Sequence, residues 1–258
     1  YSEGATSGLP RIEEPSDWFH TLDWRRSAAP APDGAPRRVL AFVGEDPLSA
    51  ALVDALVSAG HEVRRVHAAA GFERRGPLDF AVQPGSASDH ARLISTLESE
   101  KALEGEIVHL WNVGPASGPT PDTQDLDRAF YGLFHLAKAL GESDPGEALR
   151  VHVISDGMQE VAGEGVAWPH KALLLGPARV MPRELPGVRC RSIDLALPEP
   201  GSPAAAQLVA RLVGEIAGPA DEEVVAWRAR ERFVARPHPL PLPARDGTDV
   251  PLREDGVF

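Results

Sequence analysis

Cysteine is almost absent from this sequence, because Cys190 is the only one in 258 residues. A single cysteine excludes an internal disulfide and any metal site built from several cysteines, and it is typical of a reducing compartment. No stretch approaches the ~20 consecutive apolar residues of a membrane-spanning helix, and the N-terminus lacks the basic-then-apolar pattern of a signal peptide. We therefore expect a cytoplasmic protein that has no membrane as its partner.

Positive charge is also scarce. Lys and Arg together number 26 and Asp and Glu 38, which gives a formal net charge of −12. A chain this acidic is poorly suited to nucleic acid or an anionic membrane as its main partner. The acidic residues are spread along the chain, which indicates a solvated acidic surface rather than an acidic binding tail.

The chain has only two tyrosines and few lysines, which bears on hydride-transfer chemistry. A reductase of the short-chain dehydrogenase type needs a tyrosine as proton donor and a lysine four residues further on. Tyr1 is terminal, and the residue four positions after Tyr131 is His135. The sequence therefore predicts that this chain lacks the catalytic pair.

Other catalytic patterns are missing as well. No serine stands in a G-x-S-x-G elbow, and none of the nine histidines forms H-x-x-x-H or H-E-x-x-H, so we expect no metal site. His109 and His152 fall within apolar strands. Cys190 lies in a predicted strand, where a small buried hydrophobe is the better interpretation than a reactive thiolate.

Two predicted strands end in residues that could be functional, because α/β enzymes place active residues at strand ends. Ser155, Asp156 and Gly157 follow one strand, and we interpret them as a turn. Trp111 and Asn112 end another strand. The tryptophan could line a pocket, but packing under the following loop is the favoured interpretation.

A strand, a helix and a second strand are predicted between Arg37 and Ala68. The apolar run Val39–Val43 precedes a helical pattern that has Pro47 at its first position, and Gly60 follows its last residue. Proline at the start and glycine just past the end are the preferred residues of helix termini. Glu62–Val66 then begins the next strand, so the segment reads as the opening unit of a parallel α/β sheet.

The turn after the first strand differs from that of a nucleotide-binding sheet. Such a turn is glycine-rich, so that backbone amides and the helix N-terminus can hold a pyrophosphate. Here it contains one glycine, Gly44, followed by Glu45 and Asp46. These acids suit the positive end of a helix dipole but would repel a phosphate.

The remaining pattern alternates between strands and helices, which predicts a mostly parallel sheet with helices on both faces. We expect a loop-rich stretch at Gly71–Gly85. Predicted strands cover Glu106–Trp111, Leu149–Ser155 and Val188–Leu195, and predicted helices cover Ser88–Leu103, Pro121–Leu140, Lys171–Met181 and Ala204–Ile216. In the longest helix one apolar face is expected to hold Leu126, Phe130, Leu133, Phe134, Ala137 and Leu140.

The two ends of the chain carry aromatic segments. Asp17–Ser27 is strand-like and contains Trp18, Phe19 and Trp24. Near the C-terminus, VVAWRARERFVAR predicts two short strands, and PHPLPLP predicts an extended proline-rich strap. The aromatic segments expose more apolar surface than an isolated tail would, so we expect them to pack on something.

Taken together, these segments resemble the structural subdomain of a ketoreductase from a type I polyketide synthase. The resemblance covers nearly everything from Asp17 to Phe258, in the family's order. It rests on DWFHTLDWRRS, EIVHLWNVG, GLFHLAKALG, WPHKALLLGPARVMPRELPGVRCRSIDL, EVVAWRARERFVARPHPLPLP and REDGVF.

The resemblance implies a truncated, cofactor-free Rossmann-like fold of the short-chain dehydrogenase type, with a C-terminal β-hairpin and the proline-rich strap. In that family this half stabilises a second half, which binds NADPH and carries the catalytic Ser, Tyr and Lys. Residues 1–17 would be a linker, 18–243 the structural subdomain and 244–258 the link into a catalytic subdomain. No catalytic residue is carried over, and we expect no cofactor or metal in this chain.

The resemblance also implies partners. The catalytic ketoreductase subdomain is the first, and other synthase domains and the acyl carrier protein follow. Docking is expected at Trp18, Phe19, Trp24, Trp227 and Phe233, although simple burial within this subdomain stays open for each of them.

Two other functions remain open at this stage. One is a degenerate ketoreductase region that is kept for architecture beside a dehydratase or methyltransferase. The other is a divergent NADP-binding oxidoreductase with a site near Gly44 or Ser155, although the two acids of the turn count against it.

Overall fold

The computed structural model describes residues 15–32, 34–103, 105–115, 120–143, 149–219 and 221–240. The chain divides into two compact units, one of Arg25–Val234 and a smaller one of Tyr1–Trp24 and Ala235–Phe258. The expected linker (1–17) lies almost entirely outside the described residues, as do the end of the strap and the link at 244–258. The predicted domain boundaries therefore stay predictions.

The strands form one mixed sheet. They are β1 (His20–Ser27), β2 (Arg38–Val43), β3 (Glu62–Ala68), β4 (Glu73–Gly76), β5 (Asp79–Val82), β6 (Glu106–Asn112), β7 (Leu149–Asp156), β8 (Val188–Leu195), β9 (Val224–Arg228) and β10 (Glu231–Pro239). Their order is β1-β10-β9-β8-β7-β6-β2-β3-β5-β4. The run from β9 to β5 is parallel, whereas β10 pairs antiparallel with β9 and β4 pairs antiparallel with β5.

The helices connect the parallel strands. They are α1 (Pro47–Ser58), α2 (Ala87–Ser99), α3 (Thr123–Leu126), α4 (Gly132–Gly141), α5 (Leu175–Glu184) and α6 (Pro203–Ala217). A π-helical turn, Asp127–Tyr131, joins α3 to α4, and a 3-10 turn, Pro169–Leu174, precedes α5. Within the described ranges no helix is both long enough and apolar enough to span a bilayer.

Short polar side chains begin the helices. Asp46 accepts a hydrogen bond from the backbone N–H of Ser49 at the start of α1, and Ser202 accepts one from Ala205 at the start of α6. These bonds satisfy N–H groups that have no partner inside the helix. α1 ends as predicted, because Gly60 follows it with a φ of 89°.

The apolar core lies in two layers, one on each face of the sheet. Leu52, Val53 and Leu56 of α1 and Leu208, Leu212 and Ile216 of α6 pack on one face. α2, α4 and α5 cover the other face with residues that include Leu93, Ile94, Leu97, Leu133, Leu136, Leu140, Ala178 and Met181. The expected mostly parallel sheet with helices on both faces is confirmed.

Three local expectations were wrong. Residues 71–85 are not simply a loop, because β4 and β5 form a hairpin there. α2 ends at Ser99 rather than Leu103, and Lys101 then adopts a positive φ of 54° that a helix does not continue through. The helix predicted over 121–140 contains the π turn, and Phe134 is 43% exposed instead of facing the core with Leu133.

Candidate functional site

The candidate site is a crevice at the carboxyl edge of the sheet. β3 pairs with one side of β2 and β6 with the other, so the connections leaving β2 and β6 diverge at this point. Open α/β sheets bind ligands at such a switch point. The crevice has a volume of about 280 Å³, and its walls include Asp46, Trp111, Asn112, Arg128, His170 and Lys171.

The turn that follows β2 forms one wall of the crevice. A Cβ on Gly44 would lie 2.7 Å from the carbonyl oxygen of Leu110 and 2.8 Å from Oδ2 of Asp46, so only glycine fits this close approach. Asp46 is engaged in capping α1, and Glu45 Oε1 lies 3.5 Å from Nη2 of Arg128. The turn therefore presents two carboxylates where a phosphate-binding turn presents free amides.

A buried ion pair holds the next two strand ends together. Nζ of Lys171 donates to Oδ1 of Asp156 over 2.7 Å and to the carbonyl oxygen of Gly114 over 2.6 Å. The backbone N–H of Gly114 donates to the same carboxylate oxygen over 2.8 Å. Burial raises the pKa of Asp156, while the neighbouring ammonium of Lys171 opposes that rise. The ring of Trp168 lies 5.6 Å from Nζ, so the ammonium is enclosed on this side too.

A second ion cluster lies at the end of β8. Arg228 donates to Oδ2 of Asp194 over 2.6 Å and to the carbonyl oxygen of Gln159 over 2.8 Å, and it also pairs with Glu164. The backbone N–H of Met158 donates to the other oxygen of Asp194. Desolvation works against ionisation of Glu164, yet its hydrogen bonds with Arg228 and nearby amides lower its pKa to about 2. These contacts fasten the loop after β7 to the sheet.

Sequence reasoning singled out several residues at these edges. Ser155 is buried, and its hydroxyl donates to the carbonyl oxygen of Asn112 over 3.3 Å, so it is a structural residue. The turn begins later than expected, because Ser155 and Asp156 still belong to β7. Trp111 packs edge-on to Phe42 at 5.0 Å, and a Cβ on Gly132 would lie 3.1 Å from its ring. Trp111 is therefore packed in the core, but against Phe42 and α4 rather than under the following loop, and its edge also lines the crevice, which was the alternative.

The expected docking residues divide into two groups. Trp18 and Phe19, in the smaller unit, are 56% and 47% exposed, and Trp24 is half-buried. Trp227 is 2% exposed and donates through Nε1 to Oε1 of Glu215, and Phe233 is also buried. Trp227 and Phe233 therefore fit the alternative of burial within the chain, while docking at the other three stays a prediction.

The sequence analysis missed an exposed apolar groove between α4 and α5. Its volume is about 700 Å³, and Phe134, Ala137, Val180 and Met181 are among its walls. Phe130 and Phe134 stack at a centroid distance of 5.7 Å along one wall. Exposed patches of this kind mark interaction surfaces, and an exposed aromatic on a predicted helix face could not be recognised without the π turn that rotates it.

A buried charge network was missed as well. Glu106 pairs with Arg37 and Arg150, and its Oε2 lies 2.8 Å from Nε2 of His152. Further along the sheet Glu215 pairs with Arg191, and with Arg232 in the same way. Alternation of charged and apolar residues in β7 and β8 reads as an edge strand, so the sequence carries no signal that these charges are inside.

No group of three or more His, Cys, Asp or Glu side chains could hold a metal ion in the part of the chain that the structure describes. Among the described residues that line the crevice there is a lysine, Lys171, but no tyrosine. Tyr131 instead stacks on His135, with the two ring centroids 6.0 Å apart. Cys190 is buried, and desolvation raises the pKa of its thiol to about 12. As expected, it packs as a small apolar residue.

The sheet order and the crevice define a Rossmann-like protein with the short-chain dehydrogenase type of fold. The chain belongs to the beta-ketoacyl synthase-like N-terminal family, whose family model matches residues 37–210. A search of curated proteins finds no significant match.

Solved structures share the fold. A ketoreductase from the macrolactin assembly line is 15% identical with a TM-score of 0.67, and the match covers 86% of this chain and 44% of that one. A-type ketoreductases from a modular polyketide synthase are 23% identical with a TM-score of 0.60, over 90% and 45% of the two chains. A short-chain dehydrogenase from Burkholderia cenocepacia is 14% identical with a TM-score of 0.54, over 76% and 90%.

These comparisons confirm the resemblance to polyketide synthase ketoreductases. The present chain spans less than half the length of the two ketoreductase chains it matches.

Proposed function

We propose that this chain is the non-catalytic structural subdomain of an NADPH-dependent β-ketoacyl reductase in a type I polyketide synthase. The observation that carries the proposal is the crevice at the carboxyl edge of the sheet. There the Lys171–Asp156 ion pair and the acids Glu45 and Asp46 occupy the positions where a dinucleotide would need amides and space.

Electrostatics and geometry both support this proposal. A pyrophosphate in the crevice would approach two carboxylates at the start of α1, where a helix N-terminus would otherwise attract it. Lys171, a buried cation of this wall, already donates to Asp156 and to Gly114, so recruiting it would leave a buried carboxylate unpaired.

The relative lengths of the matching proteins support a partner. Structures described as ketoreductases match this chain over less than half of their own length, which leaves room for a second half of similar size. We propose that this second half is the NADPH-binding catalytic subdomain, that it docks on the exposed aromatics Trp18 and Phe19, and that other synthase domains and the acyl carrier protein are further partners. The assembly would be cytoplasmic.

The test compares two proteins: this chain, and a longer form that continues in the same reading frame by about 250 residues, a domain-sized addition. Each is titrated with NADPH and assayed for reduction of a small β-ketothioester. We expect only the longer form to bind and reduce. NADPH binding by the short chain would overturn the proposal in favour of a divergent oxidoreductase.

If neither form binds NADPH or reduces the substrate, the result favours the second candidate, a degenerate region kept for architecture beside a dehydratase or methyltransferase. Where the longer form is active, a matched pair of variants tests the docking surface. The longer form is therefore compared with its Trp18→Ser and Val57→Ser variants, since Val57 is exposed on α1, far along the chain from the aromatic segment. Docking at Trp18 predicts that only the first substitution lowers the activity.

A further inference from the structure

Three histidines from three elements meet beneath the helices that cover one face of the sheet. His90 belongs to α2, His109 to β6 and His135 to α4. We call these three residues the histidine cluster. The ring centroids of His90 and His135 are 6.0 Å apart, and His109 stacks on Phe42 at 5.3 Å. α2 and α4 pack against each other here, so the cluster lies in the seam between them.

The hydrogen bonds of the cluster suit only neutral rings. Nδ1 of His90 lies 2.9 Å from the carbonyl oxygen of Ser86, so this nitrogen must carry the proton. Nε2 of His90, both ring nitrogens of His109 and Nδ1 of His135 are buried without a hydrogen-bond partner among the described residues. A proton added at any of these nitrogens would create a buried N–H and a positive charge that no neighbour accepts.

The net effect of the surroundings is to lower the pKa of each ring. Desolvation is the main cause that lowers the pKa of all three histidines, and for His109 the value falls to about 3. His135 lowers the pKa of His90 further, and Lys138 lowers that of His135. The backbone hydrogen bonds of His90 with Ser86 and of His135 with Gly85 raise these two pKa values, and the facing acids Asp89 and Asp127 raise them less, but desolvation outweighs both.

The three rings differ in access to solvent. His109 and His90 are fully buried, whereas His135 is partly exposed at the rim of the seam. Protons therefore reach the cluster through His135. Once that ring is charged, its neighbour His90 lies beside a positive charge, and separation of the helices relieves both the repulsion and the lost solvation.

We propose that the histidine cluster is an acid-sensitive latch that closes the α2–α4 seam while its rings are neutral and opens this seam, ahead of the opposite face of the sheet, when they take up protons. This role is independent of the reductase proposal, because it needs no partner or cofactor.

Hydrogen exchange of the chain at pH 7.5 and 5.0, corrected for the intrinsic exchange rate at each pH, tests the latch. We expect the protection of the amides of α2 and α4 to fall at least tenfold more at the lower pH than that of α1 and α6, which reports only the loss of global stability. An equal loss on both faces would overturn the proposal, since it would place the pH response in global unfolding.

Two substitutions test the assignment to these residues. His90→Asn keeps a donor toward the carbonyl oxygen of Ser86, and His135→Phe keeps an aromatic ring beside Tyr131, yet neither can take up a proton. In the double variant the selective loss at α2 and α4 should disappear. The control His67→Gln changes a partly exposed histidine beside Asp79 and should leave the loss intact.

A titration of the unmodified chain keeps the proposal testable even if the variants fold poorly. The ring resonances of His135, followed by NMR, should titrate below the ordinary histidine pKa of 6.5, together with amide shifts in α2. Titration of His135 near 6.5 with no accompanying change in α2 would overturn the latch.

Discussion

Lys171 and Asp156 form a buried ion pair in which Nζ and Oδ1 are 2.7 Å apart, and both side chains are more than nine-tenths buried. Removing one partner of such a pair leaves the other charge buried and uncompensated. We expect Lys171→Met to lower the free energy of unfolding by about 3–5 kcal/mol. Urea denaturation followed by circular dichroism measures this change.

The double variant Lys171→Met with Asp156→Asn should be more stable than Lys171→Met alone, because no unpaired charge remains and an amide oxygen can still accept from Gly114. The exposed pair of Arg26 and Glu231 is a matched control, and breaking it should cost no more than about 1 kcal/mol. Equal losses of unfolding free energy for the two pairs would contradict the conclusion that the buried ion pair stabilises the fold more than an exposed one.

Acid should destabilise the chain through its buried histidines. Nε of Arg191 donates to Nδ1 of His152 over 2.9 Å, so the neutral ring carries its proton on Nε2 and donates to Glu106. Burial, followed by the charges of Arg191 and Arg37, holds the pKa of His152 well below 6.5, and burial lowers that of His109 to about 3. Below pH 6.5 the unfolded chain therefore binds protons at these histidines that the folded chain does not bind.

The sign of the pH effect follows from these lowered pKa values. The stabilisation is complete above pH 6.5 and is lost as the pH falls toward the folded pKa. For His109 the loss between pH 6.5 and pH 5 is about 2 kcal/mol, at 1.36 kcal/mol for each pH unit. In His109→Phe, the free energy of unfolding measured with urea should therefore fall less between pH 7.5 and pH 5 than in the unmodified chain, by about that 2 kcal/mol. A pH difference unchanged by this substitution would show that His109 is not held neutral.

Gly44 is expected to tolerate no side chain. In Gly44→Ala the new Cβ would meet the backbone oxygen of Leu110 at 2.7 Å, and a backbone atom cannot swing aside as a flexible side chain can. We expect a loss of about 1–3 kcal/mol, the usual cost of overpacking. Gly176→Ala is the matched control: a Cβ there meets nothing within 4 Å, and alanine favours the helix, so stability should rise by up to about 1 kcal/mol.

The longer form should respond differently to substitutions in the two exposed apolar surfaces, the N-terminal aromatic segment and the α4–α5 groove. If docking of the catalytic half uses the aromatic segment, Phe19→Ser in the longer form should raise sensitivity to proteolysis and lower NADPH affinity, because the half that binds NADPH loses its support. Phe134→Ser in the α4–α5 groove should then change neither property. The reverse pattern, read from limited trypsin digestion and fluorescence titration, would move the docking surface to the groove.

The backbone plan of the larger unit could be predicted because its signals are local. Pro47 and Gly60 mark the ends of α1, and Val188–Leu195 is the observed extent of β8. The β4–β5 hairpin was missed because Glu73–Gly76 is a short, charged edge strand without a period-two apolar pattern.

The Lys171–Asp156 ion pair and the buried charge network could not be predicted, since they depend on which distant residues the topology brings together. Lys171 meets Asp156 and Gly114 only because the 3-10 turn before α5 and two strand ends converge at one edge. Likewise no pattern in the sequence indicates that Glu215, on the apolar helix α6, is fully buried against Arg191 and Arg232. Aromatic content alone could not separate exposed Trp18 from buried Trp227 either.

Cys190 should be chemically silent in the folded chain. The thiolate is the reactive form of cysteine, and burial, aided by the charge of Glu223, raises the thiol pKa to about 12. At pH 8 only about one thiol in ten thousand would be ionised, and the side chain is also covered by the sheet and the helix α5. We expect an aromatic disulfide reagent to label it at the rate of global unfolding, and at once in urea. Labelling faster than unfolding would show that β8 opens locally and would place α5 among the mobile elements of the chain.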